Sequence, residues 1–255
     1  MKYVVMYSGG VGSWAAAKRL RETVSATDMT LLFADTNFED ADLYRFLHEG
    51  AANLGLTVTR IADGRTPWEV MRDNRYIGSP RVDVCSRVLK RKLLDKWQKE
   101  NCDPADTTLV FGIDWTESHR LERLVARFGE KGWRVAAPLC DPPYTTKRDH
   151  LALLSDEGIS PPSLYSKGFP HNNCKGACVK AGQAQWELLL RTDPDTYAEV
   201  EAWENGMREM LGDYSILRDR RGGTTKSLPL TIFRERVAAK DIDELEWGGC
   251  GCAIE

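Results

Sequence analysis

The chain has 255 residues, 42% hydrophobic and 29% charged, with 35 Lys and Arg against 38 Asp and Glu. That length and balance fit a globular unit with a sizeable core and exclude a disordered or collagen-like chain. A net charge of −3 excludes broad electrostatic coating of nucleic acid and leaves room for a local basic groove.

In chain order, Lys2–Tyr7 is an apolar run too short for a signal-peptide core, and turn residues follow it at once. It reads as a buried strand of a cytoplasmic protein. No run of about 18 apolar residues occurs, so no membrane partner is expected. Val11–Glu22 reads as a helix with Trp14, Ala15, Ala17 and Leu20 on its apolar side. Thr30–Ala34 is a second strand, Ala41–Leu54 a helix, and Thr57–Ile61 a third strand. A helix over Ser86–Glu100 precedes a fourth strand, Thr107–Gly112, and Arg134–Ala137 is a fifth. Short strands separated by helical segments of about 10–15 residues are βαβ units. The expected fold class is α/β, a doubly wound, mostly parallel, Rossmann-like sheet with helices on both faces.

After Pro138 the rhythm changes. A helix over Lys147–Asp156 lies between Asp141-Pro142-Pro143 and Ser160-Pro161-Pro162, and Gly168–Gly176 reads as a loop. Helices return over Gln183–Arg191 and Pro194–Leu211. A basic loop, Arg218–Lys226, a short apolar segment, Leu228–Phe233, and a Gly/Cys tail complete the chain. Residues 1–140 are expected to form a nucleotide-type α/β core, and 141–255 a mainly helical extension that closes over it.

The first strand runs into Ser8-Gly9-Gly10-Val11-Gly12-Ser13 and then a helix. Glycines let the backbone turn sharply and bring its N–H groups up to an anion, and the helix N-terminus adds partial positive charge. Ser8 and Ser13 add hydroxyl donors. The alternative is a plain glycine-rich turn capped by serine. No Lys-Ser/Thr follows four spacer residues, and Gly-x-Gly-x-x-Gly is absent, so Walker and dinucleotide loops are excluded.

The segment resembles the PP-loop, SGGxDS, of the adenine nucleotide alpha hydrolase superfamily, with Gly12 where that pattern has Asp. Further along, Asp35-Thr36-Asn37-Phe38-Glu39 resembles the DTGxx(F/H)xE strand end of the phosphoadenylyl sulfate (PAPS) reductase family, with Tyr44 and Phe46 on the helix after it. Cys85-Ser86-Arg87-Val88-Leu89-Lys90 resembles the family's C-C/T-x-x-x-K segment. The stretch Gly112 to Arg120 resembles GxRxxESxxR, with Asp114 in place of the first Arg, and Pro161 to Phe169 resembles PxxLYxxG(Y/F). The likeness covers residues 3 to about 180. It implies a nucleotide site made of Ser8, Gly9, Gly10, Val11, Gly12, Ser13, Asp35, Thr36, Lys90, Gly112, Glu117 and Arg120. At the end of a strand, Asp35 is suited to accept from a ribose hydroxyl or an adenine amine.

Seven cysteines in a reducing compartment point to metal ligation or thiol chemistry rather than disulfides. In adenylyl sulfate reductases, a tandem Cys pair and a later CxxC hold a 4Fe-4S cluster. By that resemblance Cys85, Cys174 and Cys178 are ligands, with Cys250, Cys252 or His171 as the fourth, for a cluster or for zinc. Packing thiols are the competing reading of Cys174 and Cys178. Cys250-Gly251 resembles the C-G of the reductase tail motif ECGxH, which makes Cys250 or Cys252 the attacking thiol. Nearby Arg218, Arg220, Arg221 and Lys226 are suited to lower its pKa and grip phosphate.

The resemblance implies an adenine nucleotide ligand (ATP, adenylyl sulfate or PAPS), a thioredoxin-like thiol donor, and Mg if ATP is the substrate. A homo-oligomer is compatible with it. Two other readings stand beside a sulfonucleotide reductase-like enzyme. One is a PP-loop ATP pyrophosphatase that thiolates a nucleic acid, and the other is a non-catalytic nucleotide-binding module.

Overall fold

The computed structural model describes residues 1–77, 82–242 and 247–248. Five parallel strands form its central sheet: β1 (Lys2–Met6), β2 (Met29–Asp35), β3 (Val58–Ala62), β4 (Thr107–Val110) and β5 (Arg134–Ala136), in the order β3-β2-β1-β4-β5. The inner strands β2 and β4 are buried along almost their whole length, whereas β3 and β5 are partly exposed edges.

Alternation along the strands sends side chains to both faces. Val5, Leu31 and Phe33 pack with Trp14 of α1 (Val11–Arg21), Leu43 and Phe46 of α2 (Ala41–Asn53), and Leu154 of the later helix Lys147–Asp156. On the other face Val4, Met6, Leu32 and Leu109 pack with Leu94, Leu124 and Phe128 from two further helices. Helices therefore cover both faces of a parallel sheet, as the strand and helix rhythm predicts.

Between β3 and β4 lie α3 (Pro67–Asp73), α4 (Val84–Ser86) and α5 (Lys92–Asn101), and a π-helical turn, Arg87–Arg91, joins the last two. The sequence reading has no counterpart for α3, which starts with a Thr66/Glu69 capping box and Pro67 at its first position. Helix α6 (Ser118–Gly129) connects β4 to β5.

The extension contains α7 (Lys147–Asp156), α8 (Ser163–Ser166), α9 (Gln183–Thr192), α10 (Pro194–Leu211) and α11 (Leu230–Ala239). It departs from the sequence reading at the basic loop. Arg218–Lys226 lies in an antiparallel hairpin of β6 (Leu217–Asp219) and β7 (Lys226–Leu228), and Leu228–Phe233 is the end of β7 and the first turn of α11. Pro229 stands just before α11, and Leu230 and Phe233, one turn apart, are both fully buried. A third apolar cluster joins the two parts of the chain, with Phe38, Trp68 and Leu89 against Trp186, Tyr197 and Phe233. Among the described residues, no helix is long and apolar enough to cross a membrane.

Candidate nucleotide site

From β1 the chain winds to β2 and β3 on one side, then crosses to β4 on the other side of β1. This reversal opens a crevice at the carboxyl ends of β1 and β4, where α/β sheets bind ligands. A cleft occupies that place. It brings together nine of the twelve residues that sequence assigns to the nucleotide: Ser8, Gly10, Val11, Gly12, Ser13, Lys90, Gly112, Glu117 and Arg120.

The floor is the turn from β1 into α1. Gly9 has φ +78°, a left-handed conformation that favours glycine. Gly10 is the N-cap of α1, which has no side-chain cap and no acidic residue in its first turn. By contrast α2, α3 and α7 are capped by Asp40, Thr66 and Thr146. The loop's hydroxyls hold the turn itself, since Ser13 donates to the Gly10 carbonyl at 2.8 Å and Ser8 to Ser13 Oγ at 3.4 Å. The α1 N-terminus thus opens on the cleft with no carboxylate in its own first turn.

Two cations of the α/β core line the cleft. Lys90 sits in the π-helical turn, whose extra residue per turn lets Leu89 face the core while the adjacent Lys90 is also buried. Its Nζ is 3.7 Å from Glu39 Oε1. Arg120 on α6 pairs with Glu117 at 2.6 Å.

Glu39 is buried and ties three segments together. It accepts from Thr36 Oγ1 at 2.9 Å and from the Cys174 N–H at 2.5 Å, besides its contact with Lys90. Thr36 is thereby turned to Glu39, and neither it nor Asp35 lines the cleft. Asp35 is fully buried and both of its oxygens are engaged. They accept from Tyr44 at 2.9 and 3.1 Å, from Arg60 Nε at 2.7 Å and from the Asn37 N–H at 2.7 Å. Burial, then the bond to Asp35, pushes the Tyr44 phenol well above its ordinary range. These contacts assign Asp35 to fastening the end of β2, in place of the ribose or adenine contact expected from sequence. Gly9 lies behind the cleft, with its carbonyl turned to Asn172.

The extension supplies the remaining wall. Tyr165 receives the Val11 N–H at 3.3 Å, and burial pushes its phenol up to about 12. Lys147 Nζ donates to the Pro170 carbonyl at 2.7 Å and lies 4.0 Å over the Tyr165 ring, with its pKa lowered by burial. His150 Nε2 is 2.8 Å from Thr145 Oγ1. Asn172 is buried and donates from Nδ2 to the Gly9 carbonyl at 2.9 Å. Sequence reasoning missed Lys147, His150 and Asn172 as site residues, because nothing local marks them and only the closure of the extension over the loop brings them there. Tyr165 carried a signal through the PxxLYxxG(Y/F) pattern.

The basic residues of the hairpin do not reach this cleft. Arg221 pairs with Asp219 and Asp241, Arg236 also pairs with Asp219, and Arg218 donates to Ser227 Oγ. Asp219 is held far below the ordinary carboxylate range by its bonds from Arg221 and then Arg236. The phosphate grip expected of that loop is replaced by a local ion-pair network that staples the hairpin to α11.

Cys85, Cys174 and Cys178 do not line the cleft either, although Asn173 beside Cys174 does. Cys174 and Cys178 are buried in the third apolar cluster, and Cys85 packs against it. Cys174, Lys175 and Gly176 take three successive left-handed conformations, with φ of 51°, 50° and 82°. Among the described residues, no three His, Cys, Asp or Glu side chains are gathered as a metal-binding group. Cys250 and Cys252 lie outside the described residues. Gly248, two positions before Cys250, bridges to Ala181, three positions after Cys178, and the Gly182 N–H donates to the Trp247 carbonyl at 2.7 Å.

Fold and site together define an α/β protein with a glycine-floored cleft at the switch point of a parallel sheet. No family model matches the chain, and no curated protein matches it.

Proposed function

We propose that this protein is a PAPS reductase-like member of the adenine nucleotide alpha hydrolase superfamily. In this reading it binds an adenine sulfonucleotide and acts in sulfur transfer or reduction through a cysteine thiol. One observation carries the reading: the uncapped, acid-free start of α1 opens on the same cleft as Lys90 and Arg120. Helix dipole, backbone N–H groups and the cations Lys90 and Arg120 suit a phosphate or phosphosulfate, and the carboxylates Asp114 and Glu117 lie on the same lining.

Lys90 and Arg120 bind and orient the phosphosulfate against Gly10–Ser13. A tail thiolate, Cys250 or Cys252, attacks the sulfate sulfur. The S–O bond to the phosphate breaks, the nucleoside phosphate leaves with that oxygen, and an S-sulfocysteine remains. A second thiol from a dithiol donor attacks the cysteine sulfur and expels sulfite. The resulting mixed disulfide is resolved by the donor's other thiol, so the donor is oxidised as the sulfur is reduced. Gly248 pairs with Ala181, so the chain approaches the tail cysteines from beside the Cys174–Cys178 segment. No step runs through a cluster or zinc.

The test is a product assay with ATP, adenylyl sulfate and PAPS, each with a dithiol donor. Sulfite release from a sulfonucleotide is the expected result. Pyrophosphate release from ATP without sulfite from either sulfonucleotide would overturn the reading in favour of the pyrophosphatase.

A further inference from the structure

Lys147 is the first residue of α7 and, like Lys90 and Arg120, lines the cleft. It differs from both in its partners. Lys90 lies 3.7 Å from Glu39 and Arg120 2.6 Å from Glu117, whereas no carboxylate among the described residues pairs with Lys147. The acid nearest to it in sequence, Asp149, accepts from the Thr146 N–H at 2.7 Å, and Asp114 of the lining accepts from the Thr116 N–H at 2.9 Å. Two uncharged groups hold its half-buried ammonium instead. Nζ donates to the Pro170 carbonyl at 2.7 Å and lies 4.0 Å from the centre of the Tyr165 ring. Pro170 and Tyr165 line the cleft as well. Burial lowers the Lys147 pKa, as it does for a cation withdrawn from water with no anion beside it.

A partly buried charge without a counter-ion is costly, and an anion bound beside it recovers that cost. Tyr165 connects this charge to the glycine turn. Its ring lies under the ammonium, and its hydroxyl oxygen receives the Val11 N–H at 3.3 Å. Burial keeps the phenol protonated, and no described residue accepts its proton. One ring thus carries a cation on its face and an unused O–H donor on its edge, beside the first residue of α1. Both groups call for an oxyanion. We propose that Lys147 is a further anion-binding residue of the cleft, and that its ammonium and the Tyr165 hydroxyl together contact a phosphoryl or sulfonyl oxygen of the ligand. The proposal rests on the nucleotide reading above for the identity of that ligand, and adds to it the part that the extension plays in holding the anion.

The test is calorimetric binding of ATP, adenylyl sulfate and inorganic pyrophosphate to wild type, Lys147→Gln, Lys147→Arg and Tyr165→Phe. Lys147→Gln keeps an N–H donor for the Pro170 carbonyl and loses the charge, Lys147→Arg keeps the charge, and melting curves check that each variant folds. Lys147→Gln is expected to bind about tenfold more weakly than wild type, the loss of one charge-assisted hydrogen bond, and Lys147→Arg to regain most of that. Tyr165→Phe should lose about threefold, the worth of one neutral hydrogen bond. A loss shared by ATP and pyrophosphate assigns the contacted oxygen to a phosphoryl group, one confined to adenylyl sulfate assigns it to the sulfonyl group, and either supports the contact. Reductive methylation of wild type, read by mass spectrometry, needs no variant. Whichever of the three anions binds should slow modification of Lys147 about tenfold and leave exposed Lys99 unchanged. Equal binding of all three by wild type and Lys147→Gln, an equal loss in Lys147→Gln and Lys147→Arg, or methylation of Lys147 unaffected by the bound anion overturns the contact and leaves the nucleotide reading intact. Binding of pyrophosphate that depends on Lys147, with neither nucleotide bound, supports the contact and overturns the nucleotide reading. Wild type that binds none of the three overturns both.

Discussion

Gly12 and Gly112 meet backbone to backbone at the switch point of the sheet. A Cβ on Gly12 would lie 2.9 Å from the Gly112 carbonyl oxygen, and a Cβ on Gly112 would lie 2.6 Å from both Cα and N of Ser13. The turn after β1 and the chain leaving β4 are therefore as close as two main chains can come. This gives a physical reason for the one departure of the loop from SGGxDS, because an Asp side chain at position 12 would start inside the carbonyl of Gly112. Gly112→Ala is expected to destabilise the protein by about 1–3 kcal/mol, as overpacking does, and Gly12→Asp by at least as much. In a chain of this size that corresponds to a fall in Tm of roughly 2–4 °C per kcal/mol. A Gly12→Asp protein that melts with wild type would show that the two loops part freely.

Lys90 links the cleft to the cysteine segment through Glu39. Lys90→Met keeps the apolar stem and removes the charge. It should weaken binding of an adenine nucleotide by about 1.5–3 kcal/mol, the worth of a charge-assisted bond, and also lower Tm, because buried Glu39 loses its cationic partner. Calorimetry at low and moderate salt checks both parts, since the salt dependence of the remaining binding should also be smaller.

Glu39 joins Thr36, Lys90 and the Cys174 N–H in one buried site. Glu39→Ala leaves the Cys174 N–H and Lys90 without this acceptor at the centre of a strained turn, where Cys174 and Lys175 both hold positive φ. A loss of about 3 kcal/mol is expected, as for other broken buried charge pairs. The specific signature is faster labelling of Cys174 by maleimide under native conditions, because its turn is no longer fastened to the end of β2.

Much of this arrangement was legible in the sequence, and for identifiable reasons. The five strands carry runs such as Val4-Val5-Met6 and Leu31-Leu32-Phe33 that no exposed segment would tolerate, and the glycine turn marks where β1 must meet a helix. The fates of Asp35 and Arg221 were not legible. Each looks like a ligand group in isolation, and each is engaged by partners distant in sequence, Arg60 for the first and Asp241 for the second. The hairpin was hidden because Arg218–Lys226 is polar throughout, with two glycines in its turn, so no alternation marks it. Asn172 was hidden for another reason: its role depends on a contact with Gly9, 163 positions away.

Glu204 of α10 is fully buried and holds the C-terminal part of the extension. Its two oxygens accept from the Ile216 N–H at 2.7 Å and the Leu230 N–H at 2.6 Å, which ties the hairpin and the start of α11 to α10. Burial raises its pKa, and the two backbone donors oppose that rise. Glu204→Gln keeps one acceptor and turns an amide NH2 toward the other N–H, so a loss of about 1–3 kcal/mol is expected. Glu204→Ala should cost more, because two buried donors then lack partners. Denaturant melts that follow tryptophan fluorescence separate the two variants.

His150 gives the fold a pH dependence whose sign follows from its burial. Its pKa is lowered from 6.5, chiefly by burial, with Arg19 adding to the effect and Asp114 and Asp149 opposing it. The unfolded chain therefore binds the proton more readily than the folded one. Stability is independent of this group above the unfolded value of 6.5 and falls as pH drops below it, until the folded pKa is passed. Wild type should consequently show a lower Tm at about pH 5.5 than at about pH 7.5, after the contribution of carboxylates is removed by comparison with a variant. That variant is His150→Gln, which keeps a polar group opposite Thr145 and has nothing to protonate in this range. Its melting temperature should fall less than that of wild type over the same interval. Identical falls in the two proteins would show that His150 is protonated in the folded state at no cost, and that the wall it shares with Lys147 is open to water.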